Sequence, residues 1–206
     1  LQKTNIMSKV LRIEAYGSKV LRKEGVDITR DYPELEELIE NMFETMYKAN
    51  GVGLAAPQVG KSIRLFIIDA APFAEPDDEG KVDEKAIGLE NFKRVFINAE
   101  IIEEDGDPWA FEEGCLSIPE IREKIIREPR IRMQYYDRDW KFHDEVFENY
   151  AARIIQHEYD HIDGILFTDH LKPLKKRLLQ RRLSDISKGN IKVKYRMKFP
   201  IKKEKK

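Results

Sequence analysis

The sequence predicts an α+β fold. Three observations carry this expectation: a 3.6-residue apolar rhythm near each end of the chain, β-rich apolar stretches crowded between them, and no internal repeat or linker dividing the two. At 206 residues the chain has room for one domain with a sizeable core and is short for two, so residues 1–206 are read as a single domain.

Near the N-terminus, VLRIEAYGSKVLRKEG reads as a short extended piece with a turn around Gly17. PELEELIENMFETMYKAN is the clearest helix. Leu35, Leu38, Ile39, Met42, Phe43 and Met46 form one core-facing stripe, Pro33 suits the first turn, and Asn50-Gly51 is a stop. IRLFIID, residues 63–69, reads as a buried strand, and residues 72–91, with Pro, Gly and many acids, as a long acidic surface loop. RVFINAEII and IREKIIREPRIRMQYYD are strand-forming, the second interrupted near Pro129, and DRDW marks a turn. A second helix runs from about Glu148 to Asp163 and is closed by Gly164. A third, DHLKPLKKRLLQRRLSDIS, begins near His170 and is amphipathic and basic, and residues 189–206 form a basic tail.

The net charge of −1 conceals an asymmetry. Residues 171–206 hold 15 Lys/Arg against 2 Asp/Glu, or +13, which leaves −14 on the other 170 residues. Such a tail suits a polyanionic partner; a solvated, partly disordered tail is the plainer expectation. No apolar run nears the ~20 residues that span a bilayer, and LQKTNIMSKV lacks the apolar core of a secretory signal, so no membrane partner is expected. The chain starts at Leu1, which leaves Met7 or an absent upstream segment as the true start. Cys115 is the only cysteine. It excludes an intramolecular disulfide and fits a reducing compartment, the cytoplasm first and an organelle second.

The chemistry is concentrated in QHEYDHIDGILF, residues 156–167, an HExxHxxGxxF pattern. Helical residues four apart lie about 40° apart around the axis, so His157 and His161 can face one metal ion. Glu158, roughly 100° round from His157, flanks that ion without having to bind it, as a general base beside metal-bound water does. The plain alternative is two surface histidines on a charged helix. A metzincin protease would need a histidine at position 167, where this chain has Phe167. Other third ligands stay open on the residues alone. Asp185 lies where a gluzincin offers Glu, His170 suits the start of the next helix better, and His143 sits in the charged stretch KFHDE. Cys115, in FEEGCLSIP, is a strong ligand for Zn²⁺ or Fe²⁺ as a thiolate, and plain core filler as a thiol.

Three segments occur in order at wide spacing: GVGLAAPQVG (51–60), EGCLSIP (113–119) and QHEYDH (156–161). Together they resemble the signature motifs of the peptide deformylases, a resemblance that runs from VLRIEAYGSKVLRKEG to GILFTDHL. It implies mainly antiparallel β-sheets packed around a central helix carrying HExxH, with an N-terminal and a C-terminal helix. It implies a single divalent metal ion held by Cys115, His157 and His161 with water in the fourth position. Fe²⁺ is the first choice, with Zn²⁺, Ni²⁺ or Co²⁺ able to substitute. The implied reaction removes the formyl group from the N-terminal formyl-methionine of nascent polypeptides and releases formate. Glu158 would act as general base and then acid, with the Gln58 amide and the Leu116 main-chain N–H on the oxyanion.

Substrate binding is implied in the same way. Main-chain groups at Val52, Gly53 and Gly114 would pair with the substrate as an added strand, with Glu113 in the same binding stretch. Tyr150, Arg153 and Ile154 would line a methionine pocket. Many relatives have small or aliphatic residues where Tyr150 and Arg153 stand, and the Arg153 stem is expected to form a wall while its head reaches water. In some bacterial relatives a C-terminal helix docks near the ribosomal exit tunnel, and LKKRLLQRRL suits such a contact with rRNA. Two rivals stand beside this reading: a zincin-type endopeptidase using His170 or His143, and a non-catalytic metal-stabilised module whose tail binds RNA.

Overall fold

The computed structural model describes residues 8–201. The proposed start at Met7 and the last five residues of the basic tail lie outside the described residues. In chain order the strands are β1 (Ile13–Glu14), β2 (Gly53–Ala55), β3 (Leu65–Asp69), β4 (Lys93–Asp105), β5 (Trp109–Cys115), β6 (Ile118–Arg127), β7 (Arg130–Tyr136), β8 (Phe142–Glu148) and β9 (Met197–Lys198). The α-helices are α1 (Leu35–Lys48), α2 (Asn149–Ile162) and α3 (Pro173–Ser187).

A five-stranded antiparallel sheet of order β2-β3-β4-β7-β8 forms the largest layer. On one of its faces Leu54, Leu65, Ile67, Val95 and Ile97 pack against Ile39, Met42, Phe43 and Met46 of α1. On the other, Phe66, Ile68, Phe96, Met133 and Tyr135 pack against Ala151, Ala152, Ile154, Ile155 and Ile162 of α2. Both faces are covered, which is why β3 reads as a continuous apolar run rather than an alternation. Helix α1 turns its apolar stripe to the sheet and its charges outward, whereas α2 also buries Arg153, Glu158, Asp160 and His161.

The β5–β6 hairpin is a separate two-stranded sheet. It packs through Ile118, Ile121 and Ile125 on Leu179, Leu183 and Ile186 of α3, and Cys115 and Phe167 share that cluster. A third, parallel pair joins β1 to β9 at the two ends of the described chain.

Several boundaries differ from the expectation. Helix α1 begins at Leu35 after a left-handed Glu34 (φ 55°), so Pro33 lies outside the helix rather than in its first turn. Helix α3 begins at Pro173, and His170 ends a separate 3-10 turn over Phe167–His170. Residues 72–91 are more than a surface loop. They hold 3-10 turns over Ala71–Ala74 and Glu84–Ala86, and Ala74, Ala86 and Leu89 are buried in the sheet–α2 core. Most altered is the tail. Through Ile201 it is a packed segment in which Ile191, Val193, Tyr195, Met197 and Phe199 are partly buried while the residues between them are exposed. Apolar side chains on every second position gain a body to pack on, which a solvated tail would forgo.

Candidate metal centre and reaction cleft

Three elements converge on one point. Helix α2 supplies His157, Glu158 and His161 from a single face, one turn apart. The tight turn of the β5–β6 hairpin supplies Cys115, where β5 ends and the pairing register shifts. The 3-10 turn over Ala56–Val59, following β2, supplies Gln58. The donor atoms of Cys115, His157 and His161 all lie within 4.8 Å of one another, and Cys115 Sγ is 3.2 Å from His161 Nε2. His143 and His170 are engaged elsewhere: His143 lies between Asp137 and Glu145, and His170 Nε2 is 2.7 Å from Asp160 Oδ2. Asp185 lies on α3 and outside this group.

A buried network fixes the ligands. His157 Nδ1 faces Glu113 Oε2 at 2.9 Å, so a proton on Nδ1 leaves Nε2 as a bare donor for a metal. Glu113 in turn takes Nε and Nη2 of Arg127 at 2.8 and 3.0 Å and Nη1 of Arg153 at 3.1 Å. Arg127 also reaches Asp160 at 2.8 Å, and Asp160 holds His170. Burial acts to raise the Glu113 carboxyl, but hydrogen bonds from His157 and Arg127 outweigh it and hold the group far below the usual carboxylate range. Nothing in the sequence marked Glu113, Arg127, Asp160 and His170 as the residues that hold the histidine ligand from behind. Partners 10 to 44 residues apart in the chain leave no local pattern.

The residues fit a divalent cation. Burial pushes the Cys115 thiol up, yet the charge of His161 and hydrogen bonds from both histidines bring it down to about 5, so it stands as thiolate. A thiolate with two imidazoles is a donor set suited to Zn²⁺ or Fe²⁺. Two buried polar atoms beside it, Glu158 Oε2 and His161 Nδ1, have no hydrogen-bond partner among the described residues. Burial lifts the Glu158 carboxyl to about 7, against the pull of His157 and His161. Its room is provided by Gly53, where a Cβ would come within 2.3 Å of Glu158 Oε1. The Gln58 amide is oriented: its oxygen accepts the Ala55 N–H at 2.8 Å, and its Nε2 lies 3.5 Å from Cys115 Sγ and 3.2 Å from Ser117 Oγ.

The centre opens into a cavity of about 640 Å³ bordered by Val52, Gly53, Gly114, Leu116, Ile154 and Glu158. Beta2 is an edge strand, and β5 pairs only with β6, so main-chain groups of both border the cleft. Glu113 also borders it, but both its oxygens are committed to His157 and the two arginines. The Arg153 head does not reach water: the residue is 2% exposed, and its guanidinium meets Glu113, the Ile125 carbonyl and the Trp109 carbonyl. Tyr150 stands one layer back, its ring against Phe73, Trp109 and Phe111 and its hydroxyl donating to Asp83 at 2.6 Å. Phe73 and Phe111 line the cavity in front of it and were not singled out in the sequence.

A thiolate and two imidazoles on one side of an open cleft, with a buried carboxylate beside them, define the site of a mononuclear metallohydrolase. The profile of the polypeptide deformylase family matches residues 10–177. The peptide deformylase of Christiangramia forsetii is 56% identical over 191 residues, covering 93% of this chain and 96% of that protein. That of Flavobacterium johnsoniae is 52% identical over 195 residues, covering 95% and 98%. The crystal structure of the Thermotoga maritima peptide deformylase superposes with a TM-score of 0.68 at 41% identity, over 80% of this chain and 99% of that one. The chain belongs to the peptide deformylase family, hydrolases that carry one divalent metal ion and remove the N-formyl group from nascent polypeptides. No helix among the described residues is long and apolar enough to cross a membrane.

Proposed function

We propose that residues 1–206 form one deformylase domain organised around the HExxH helix, with Cys115, His157 and His161 as metal ligands and Fe²⁺ as the resident ion. The observation that carries this reading is the Cys115–His157–His161 cluster, whose donor atoms lie within 4.8 Å of one another beside an unpartnered Glu158 oxygen. A divalent ion held by Cys115, His157 and His161 would supply hydroxide near neutral pH by lowering the pKa of water. Glu158 would accept the proton of the attacking water and return it to the departing amine. A carboxyl titrating near 7 suits both transfers. The Gln58 amide and the Leu116 N–H stabilise the charge that develops on the formyl oxygen, and losing one such donor costs roughly 10²–10³ in rate.

The formyl peptide binds as an added strand between the edges of β2 and β5, through main-chain groups at Val52, Gly53 and Gly114. Backbone pairing gives affinity without reading the sequence downstream of methionine. Ile154 and the rings of Phe73 and Phe111 form the methionine pocket, with Tyr150 behind them. Glu113 and Arg153 belong to its buried wall, Glu113 holding His157 and Arg153 holding Glu113.

The protein works in the cytoplasm on nascent chains, and exposed cations on and beside α3, among them Lys172, Arg177, Arg181 and Lys188, dock it to ribosomal RNA. Salt-independent co-sedimentation with ribosomes would argue against that contact. The function is tested by formate release from formyl-Met-Ala under anaerobic conditions with metal analysis. Cys115→Ala is expected to lose the ion. Glu158→Ala is expected to keep the ion and lose formate release. Full metal content in Cys115→Ala would return the third ligand to another residue.

A further inference from the structure

The segment after α3 doubles back across the molecule. Its backbone is fastened to the N-terminal strand: the N–H groups of Ile13 and Ala15 donate to the carbonyls of Arg196 and Lys198, each at 2.9 Å. Lys198 Nζ lies 2.7 Å from the buried carboxylate of Glu14, which also accepts the Ser18 hydroxyl at 2.6 Å. Further along, the Ile201 N–H donates to the Ser187 carbonyl. Between α3 and these anchors the chain passes beside the reaction cleft, where Lys192, Val193, Lys194 and Tyr195 form part of the cavity lining.

Among the described residues, Tyr195 makes the one side-chain hydrogen bond from this wall to the site. Its hydroxyl donates to the main-chain carbonyl of Leu116 at 2.8 Å. Leu116 and Ser117 are the two turn residues between Cys115 and Ile118. The next carbonyl, that of Ser117, accepts the Tyr16 N–H at 2.9 Å, and the Ser117 hydroxyl lies 3.2 Å from Gln58 Nε2. The peptide planes of this turn are therefore held from outside the hairpin, by β1's neighbour on one side and by Tyr195 on the other. Two-residue turns have few contacts of their own, so an external hydrogen bond is what limits their rotation.

We propose that the C-terminal segment 190–201 is a working wall of the cleft and that Tyr195 is a positioning residue for the Leu116 main chain. This rests on the reading of the Leu116 N–H as an oxyanion donor. Tyr195 O–H fixes the Leu116–Ser117 peptide plane, and through the Leu116 φ and ψ it limits the tilt of the adjoining Cys115–Leu116 plane, whose N–H must meet the formyl oxygen. A donor aimed in advance lowers the barrier without strengthening substrate binding.

The test uses the full-length metal-loaded enzyme, formyl-Met-Ala as substrate, and the variants Tyr195→Phe and Tyr195→Ala. Phenylalanine keeps the ring packing and removes only the hydroxyl. The expected result is a kcat about three- to tenfold lower in Tyr195→Phe, the scale of one neutral hydrogen bond, with KM, metal content and melting temperature as in the wild type. Tyr195→Ala shares that kcat loss and melts lower. A wild-type kcat in Tyr195→Phe overturns the proposal, as does a loss that follows metal content or melting temperature, or one confined to KM. Absence of formate release from the wild type itself would refute the deformylase reading beneath it, a separate outcome.

Discussion

Phe167 lies against the ring of His157, with centroids 6.1 Å apart and planes inclined by 28°. The residue that stands where a metzincin would place its third histidine thus packs against one of the metal-site histidines. Phe167 is 1% exposed and belongs to the same core cluster as Cys115. Its ring holds the imidazole from the side while Glu113 holds it from the edge.

Phe167→Ala is accordingly expected to cost about 3–5 kcal/mol of stability through the cavity it leaves. It also frees the His157 ring to tilt, so metal affinity falls as well. Thermal melts and competition with a chelator measure the two effects. A destabilised variant with unchanged affinity would reduce Phe167 to core packing.

Glu113→Gln removes the anion shared by His157, Arg127 and Arg153 and leaves two buried guanidinium groups short of a partner. Breaking such a buried cluster costs about 3–5 kcal/mol. Replacing the anionic acceptor on His157 Nδ1 by a neutral amide weakens metal binding by roughly 10–100-fold. Isothermal titration with Zn²⁺ of the refolded apo-protein would show it, and an unchanged affinity would disconnect Glu113 from the ligand.

Gly53→Ala places a methyl group where Glu158 Oε1 now lies, 2.3 Å from the new Cβ. Glu158 must move, and the strand backbone need not, because Gly53 takes no left-handed conformation. A displacement of about 1 Å in a catalytic group costs on the order of 10²-fold in rate. The expectation is a kcat reduced to that extent with all metal retained. Wild-type turnover in this variant would show that Glu158 tolerates relocation.

The metal-free protein should show a defined acid response. Burial acts to raise both Glu113 and Asp160. It is outweighed at Glu113 by hydrogen bonds from His157 and Arg127, and at Asp160 by the hydrogen bond from His170 and the charge of Arg127, so both are lowered. A carboxyl with a lowered folded pKa adds stability that is complete above its unfolded value, about 4, and fades as pH falls through the folded one. Arg127→Gln removes part of that difference. The variant is expected to be less stable than wild type at pH 7, with the gap narrowing below about pH 4. Urea midpoints between pH 7 and pH 3 test this, and a constant gap would assign the whole cost to packing.

The features legible in the sequence were the local ones. Helical spacing alone put His157, Glu158 and His161 on one face, and the apolar stripes of α1 and α2 marked the sides that cover the sheet. Beta5 and β8 were harder to read because their faces are half charged, as in WAFEEGC and FHDEVFE. The network from His157 through Glu113, Arg127 and Asp160 to His170 was illegible for another reason: its charged side chains resemble surface charges until tertiary packing buries them. The tail differs from both. IKVKYRMKF alternates apolar and basic residues without a break, the period of a half-buried strand, and only its high charge hid the signal.

The pairing of β1 with β9 brings Glu14 to Lys198, 184 residues apart in the chain. A ribosome delivers residues in order from the N-terminus, so β1 waits for its partner through nearly the whole of synthesis. Chains stalled with residue 190 still inside the ribosome are expected to release formate from formyl-Met-Ala no faster than an enzyme without Tyr195. A copy still being made lacks this wall of its cleft.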